Sequence, residues 1–231
     1  MNFCIPGNIH KGGGEFVEQS VSMGRVLSFC DWVLKFFYAN LLWFVFTLLG
    51  LGVFGFMPAT TALFSVMRKW IMGKTDIPIC KTFWQAYRGE FFRSNVIGLI
   101  LAAVGIIIYV DLAFIYPEHF LLHVLRFVIM IFGFLFLIML FYMFPLLAHF
   151  DWKKRMYFKF SLILGISYLQ YTLTMMAVTA VLYIAFAFLP GIVPFFSASL
   201  LSYAVMWLAY QVLKKAEAVE QRETVRTTRH T

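Results

Sequence analysis

The chain has 231 residues, 62% of them hydrophobic and only 13% charged, with a mean hydropathy of +0.83. A soluble domain carries about a quarter charged residues, so this composition excludes one and reads as a polytopic membrane protein in a single compact domain. The formal net charge of +8 falls between and beyond the apolar runs, as cytoplasmic segments require, and no module is present that could present it to nucleic acid.

Residues 1–20 contain Pro6, Gly7 and the run Gly12 to Gly14 without apolar periodicity, and are expected to form a mobile tail. From Val21 the pattern changes. Val26, Leu27, Cys30, Val33, Leu34 and Phe37 recur at helical spacing, with Arg25, Asp31 and Lys35 between them. Cys4, Cys30 and Cys80 show no metal-ligand spacing and read as reduced thiols, and no cleaved signal peptide is expected.

No charge occurs from Phe36 to Met67. As one helix this run would be about 48 Å long, against a hydrocarbon core of about 30 Å, so a single straight span is excluded. Two solutions remain. Either a span ends near Met57 and a short interfacial helix follows, or the run folds into a tight hairpin at Gly50, Gly52 and Gly55 with Pro58 bending its descending arm. Basic residues lie on both flanks, Lys11, Arg25 and Lys35 before and Arg68, Lys69 and Lys74 after. A hairpin places both clusters on the cytoplasmic side and is preferred.

After Pro78, the spacing of Phe83, Trp84, Tyr87 and Phe91, with Lys81, Gln85, Arg88 and Arg93 around them, predicts a basic amphipathic helix on the cytoplasmic side. One reading lays it in the lipid headgroup layer. The other makes it a docking helix for a cytoplasmic partner, with Lys81, Trp84, Tyr87, Arg88 and Arg93 as its contacts.

Val96 to Tyr116 is a span, and Gly98, Ala102 and Gly105 share one face suited to close helix packing. Asp111 sits in this apolar run. Pro117 and Glu118 turn the chain into a second span, Phe120 to Leu147, on which His119, His123 and Arg126 share a face. An ionisable group inside a span calls for a partner, and a turn centred near residue 118 brings Asp111 and Arg126 to one depth. They are predicted to pair. The alternative is a ligand or ion site formed with His119, His123 and Tyr109; two histidines and an acid already paired make a poor metal shell.

Lys153, Lys154, Arg155 and Lys159 return the chain to the cytoplasm, and Pro190, Gly191 and Pro194 divide the uncharged stretch Ser161 to Leu213 into two spans. The expected architecture is all-α. Residues 21–215 form a transmembrane bundle of five to six helices, counting the hairpin, with the amphipathic helix at its cytoplasmic face. Residues 216–231 form a cytoplasmic tail, and both termini of this multi-pass cell-membrane protein are cytoplasmic.

The run NLLWFVFTLLGLGVFGFMPATTALFSVMRKWIMGKTDIP, followed by KTFWQAYRGEFFRSN, closely resembles the opening signature of the YesL family, bacterial integral membrane proteins classed as a domain of unknown function. The resemblance extends more loosely from Arg25 to Leu213. Members are frequently encoded near polysaccharide-use genes and sugar ABC transporters, which implies an accessory role in carbohydrate uptake or sensing beside transporter or sensor subunits. It brings no catalytic or ligand residues. The chain lacks HExxH, GxSxG, CxxC and P-loop motifs, so no catalytic residue, metal or cofactor is expected. The second functional class is a small transporter or channel entered at Asp111, His119, His123 and Arg126. It needs a continuous polar lining, and the sequence offers only Asn40, Thr47 and Gln170 at mid-membrane.

Overall fold

The computed structural model describes residues 13–114, 119–150 and 154–228. These form seven α-helices and one 3₁₀ turn: α1 Gly13–Leu49, α2 Val53–Ile71, α3 Ile79–Phe114, α4 Phe120–His149, α5 Lys154–Ser167, α6 Leu169–Phe188, the turn Pro190–Ile192, and α7 Val193–Thr228. No strand occurs among the described residues, and five helices are long and apolar enough to cross a membrane: α1 from Arg25 to Leu49, α3, α4, α6, and α7 as far as Ala218.

The hairpin is present. Trp32 and Phe36 meet Trp70, whereas Trp43 meets Phe56 and donates its indole N–H to Thr60 Oγ1 at 3.1 Å, so α1 and α2 run antiparallel. The turn is made at Leu51 and Gly52, both with positive φ (60° and 72°), a conformation that glycine adopts freely and leucine does not. Close approach of the arms has its own cause. A Cβ on Gly55 would strike the carbonyl oxygens of Thr47 and Phe46, so only glycine lets the two backbones touch there.

α2 is the interior helix. Pro58, Ala59, Thr61, Ala62, Leu63, Val66 and Met67 are buried against α1, α3, α4 and α7. In lipid, apolar burial gives helices little net drive to associate, so contact geometry and hydrogen bonding decide the packing. The small side chains of α2 supply the contact. Its hydroxyls stay at home: Thr60 Oγ1 donates to Phe56 O, Thr61 to Met57 O and Ser65 to Thr61 O, each closing on a carbonyl one turn back.

α3 packs antiparallel to α2, with Lys69 against Thr82 and Met57 against Gly98. α4 packs antiparallel to α3, with Phe136 against Gly105 and Ile108 against Gly133. The small-residue face predicted on α3 is therefore split. Gly98 admits α2 and Gly105 admits α4, while Ala102 is exposed. α7 returns alongside α1, with Phe36 against Tyr203 and Phe37 against Phe195, so the start of α1 and the end of α7 lie at one end of the bundle. That end also carries Arg68, Lys69, Arg93, Lys214 and Lys215, and is called the basic end below.

Four expectations about boundaries change. The amphipathic segment after Pro78 is not a separate helix but the first turns of α3, which at 36 residues is about 54 Å long; no proline interrupts it, and Gly89 alone is too weak a break. Residues 13–20, expected in the tail, belong to α1, while residues 1–12, with Cys4 and Lys11, lie outside the described residues. The expected C-terminal tail is helical to Thr228, because Lys214–Thr228 is rich in Lys, Ala, Glu, Gln and Arg and contains no Gly or Pro. Finally, the stretch from Ser161 is broken at Tyr168 (φ −117°, ψ 47°). There Thr172 Oγ1 donates to Gly165 O at 2.9 Å across the bend. The turn at Pro117 and Glu118 and the loop residues Trp152 and Lys153 lie outside the described residues.

Candidate functional site

The final carbonyls of an α-helix lack intrahelical donors and carry partial negative charge, so they attract cations. At the C-terminus of α4 two arginines from different helices meet this need. Arg68 Nη1, on α2, donates to Ala148 O at 2.8 Å. Arg93 Nη2, on α3, donates to Phe150 O at 3.3 Å and to Tyr157 Oη at 2.7 Å. Tyr157, buried on α5, donates its own hydroxyl to Phe150 O at 2.6 Å. Glu90 Oε2 lies 2.9 Å from Arg93 Nε, and the guanidinium sits 5.2 Å from the centre of the Tyr157 ring.

Between the two residues whose carbonyls these arginines bind, Ala148 and Phe150, comes His149. Its Nε2 lies 3.6 Å from Glu217 Oε1 on α7, and its ring centre is 6.2 Å from that of Tyr210. The cluster thus joins α2, α3, α4, α5 and α7 at the basic end. Every named contact is to a helix end, a ring, a hydroxyl or an opposite charge. Such an arrangement fixes where the helices stop relative to one another; it positions no nucleophile beside a base.

A second clamp is set by Asn40, which is 1% exposed. Its Nδ2 donates to Pro194 O at 2.7 Å, and its Oδ1 accepts from the amides of Ala198 and Ser199 at 3.1 Å each. The side chain serves both the acceptor and the donors of one turn of α7, which leaves no buried amide group unsatisfied. Sequence reading placed Asn40 only among thin mid-membrane polarity. An amide in an otherwise apolar run is the signal that could have marked it as a helix clamp.

The docking candidates on α3 divide into two groups. Lys81, Trp84 and Arg88 are exposed, Trp84 at 47%. Tyr87 is buried, its hydroxyl donating to Phe46 O at 3.3 Å, and Arg93 is turned into the cluster at the end of α4.

At the opposite end, Asp111 is half-buried at a groove of about 400 Å³ lined by Ile108, Ile129, Phe132 and Phe136. Arg126 is half-buried on α4, and no ion pair of 4.0 Å or less joins the two. The predicted pair is thus not formed. The reason is register: Gly105 against Phe136 and Ile108 against Gly133 put Asp111 across from Met130, one turn beyond Arg126. His119 and His123 are exposed, and the carbonyl of His119 accepts from the amides of Leu122 and His123 at the start of α4. Tyr109 is 71% exposed and takes no part. Among the described residues no group of three or more His, Cys, Asp or Glu side chains is placed to hold a metal ion.

These features define an all-α multi-pass membrane protein whose buried polar groups hold helix ends in place. The family described as "Protein of unknown function, DUF624" matches residues 36–112, from the middle of α1 to the end of α3. Three Bacillus subtilis (strain 168) proteins are similar over nearly their whole length. The uncharacterized protein YteU is 66% identical over 87% of this chain and 90% of its own. The uncharacterized protein YesL is 34% identical over 84% and 92%, and the uncharacterized protein YesV 34% over 82% and 91%. The chain belongs to this family, as the signature between Asn40 and Asn95 implied. No solved structure matches it.

Proposed function

We propose that this protein is an accessory or regulatory membrane component without catalytic activity of its own, serving carbohydrate uptake or sensing. The observation that carries the reading is the interior position of α2. Where a transporter of this size needs a polar path, the bundle centre holds Ala59, Ala62, Leu63, Val66 and Met67. Its buried hydroxyls turn to nearby backbone, with Thr61 on Met57 O, Ser161 on Phe158 O and Ser199 on Phe196 O.

By the positive-inside rule the basic end, with the start of α1 and the end of α7, faces the cytoplasm. Exposed there are Lys74 in the loop after α2 and Lys214 and Lys215, where the apolar part of α7 gives way to its polar extension, a cationic surface offered to the cytoplasmic side of a partner. Subunits of a sugar ABC transporter or of a sugar sensor are the partners that the family resemblance implies.

Purification from native membranes in mild detergent, followed by identification of what accompanies the protein, tests the reading. A transporter or sensor subunit is the expected companion, lost when Lys74, Lys214 and Lys215 are replaced by Glu. Recovery of the protein alone, together with substrate flux in proteoliposomes, overturns it.

A further inference from the structure

On α3, Lys81, Arg88, Phe92, Asn95, Leu99 and Ala102 follow one another at intervals of seven, four, three, four and three residues, and so share one face. The face changes character along its length. Lys81 and Arg88 are exposed, and neither is joined to an acid among the described residues, since Asp76 is engaged by Lys35 and Glu90 by Arg93. Phe92 and Leu99, at 83% and 72% exposure, line a groove of about 690 Å³ whose other wall is the hairpin tip, from Gly52 to Met57. Gly98 keeps that wall close, because a Cβ there would collide with Met57.

We infer that this stripe is a binding site for one anionic phospholipid, with the headgroup phosphate held by Arg88 and Lys81 and an acyl chain lying in the groove. Three observations support that occupant. From Phe92 to Ala102 the face is about 15 Å long, half of a hydrocarbon core of about 30 Å and so one leaflet deep. The cations stand on the polar side of the boundary that the uncharged run after Asn95 draws on the same helix, and Trp84, half-exposed among them, is the aromatic of a membrane interface. A second copy of the chain is a poor alternative, since two-fold contact through this stripe would set Arg88 and Lys81 against their own equivalents. The inference does not rest on the proposed function, whose partner surface is formed by Lys74, Lys214 and Lys215.

The test uses the full-length protein in mild detergent and two phospholipids bearing a photoactivatable diazirine in one acyl chain, phosphatidylglycerol and phosphatidylcholine. Phosphatidylglycerol is expected to label the peptide spanning residues 91–102 severalfold more than phosphatidylcholine. Replacing Lys81 and Arg88 by Gln should lower that labelling about fivefold per charge removed and leave phosphatidylcholine unaffected. Arg88→Lys, which keeps the charge, should restore most of it. Ala102→Trp, which fills the groove from an exposed position, should suppress labelling by both lipids. Equal labelling by the two lipids, or labelling indifferent to the charge changes, overturns the inference. So does complete competition by inorganic phosphate alone, or cross-linking of the groove to a second copy or a partner protein in place of lipid.

Discussion

Arg93 and Tyr157 converge on one atom: each donates a hydrogen bond to the carbonyl oxygen of Phe150, and Arg93 also donates to the Tyr157 hydroxyl. Three helices, α3, α4 and α5, are thereby fixed at the basic end by a closed set of three bonds. Within a small network of this kind the members support one another, so their removal is not additive. Tyr157→Phe is expected to cost about 1 kcal/mol, and Arg93→Gln about 2 to 3 kcal/mol, because a charged donor to Phe150 O and Tyr157 is lost together with the ion pair to Glu90. The double variant should fall short of the sum. Thermal denaturation in detergent reads all three, and strictly additive losses would show that the two side chains act independently.

Asn40 gives a larger effect from a smaller side chain. Asn40→Leu preserves approximate size but removes three bonds to α7, leaving Pro194 O and the amides of Ala198 and Ser199 to find partners in an apolar interior. A loss of roughly 3 kcal/mol is expected. Asn40→Asp is the sharper variant. It keeps both acceptor bonds but loses the donor to Pro194 O and buries a charge, so it should be no more stable than the Leu variant at alkaline pH and should recover as pH falls and the carboxyl regains a proton. A stability independent of pH would count against the bidentate arrangement.

What the sequence made legible was the pattern set by long-range composition. The uncharged run Phe36 to Met67 exceeds a bilayer, so it had to fold back, and Gly50, Gly52 and Gly55 marked where. Pro190 marked the division between α6 and α7 in the same way. Less legible were features that depend on which atoms meet. Arg68 and Arg93 read as topology signals, and nothing in their spacing shows that both bind the end of a helix still to come in the chain. Asp111 and Arg126 were matched by counting from an assumed turn centre, and a helical register displaced by one turn is enough to separate them. The break at Tyr168 carries no Gly or Pro at the bend itself, and the bond from Thr172 to Gly165 that spans it is a contact formed only once the bend exists.

The glycines separate local cost from tertiary need. Gly89 lies inside α3 with open space where a Cβ would go, so Gly89→Ala should stabilise the protein by about 0.5 to 1 kcal/mol through helix propensity alone. Gly55→Ala has the same propensity gain but drives its methyl into the backbone of α1 at Thr47 and Phe46, and only separation of the hairpin arms relieves that. It should lower the melting temperature by several degrees and weaken the Trp43 to Thr60 contact, visible as a change in tryptophan fluorescence. Equal behaviour of the two variants would mean that the hairpin arms are not in backbone contact.

The native thiols offer a direct test of the hairpin. Cys30, in α1, and Cys80, at the start of α3, are both exposed and free, and both lie toward the basic end because α1 and α2 are antiparallel and α3 begins after a short loop. A chain in which the run Phe36 to Met67 crossed the membrane once would put them on opposite sides. Two single-thiol proteins, each keeping one of these cysteines with the other two residues changed to Ser, can be treated with a membrane-impermeant maleimide in right-side-out and inverted vesicles. Both thiols should react from the same side, and by the positive-inside rule that side is exposed in inverted vesicles. Labelling of Cys30 and Cys80 from opposite faces would rule out the hairpin, and labelling of both in right-side-out vesicles would keep the hairpin while reversing the orientation assigned to the basic end.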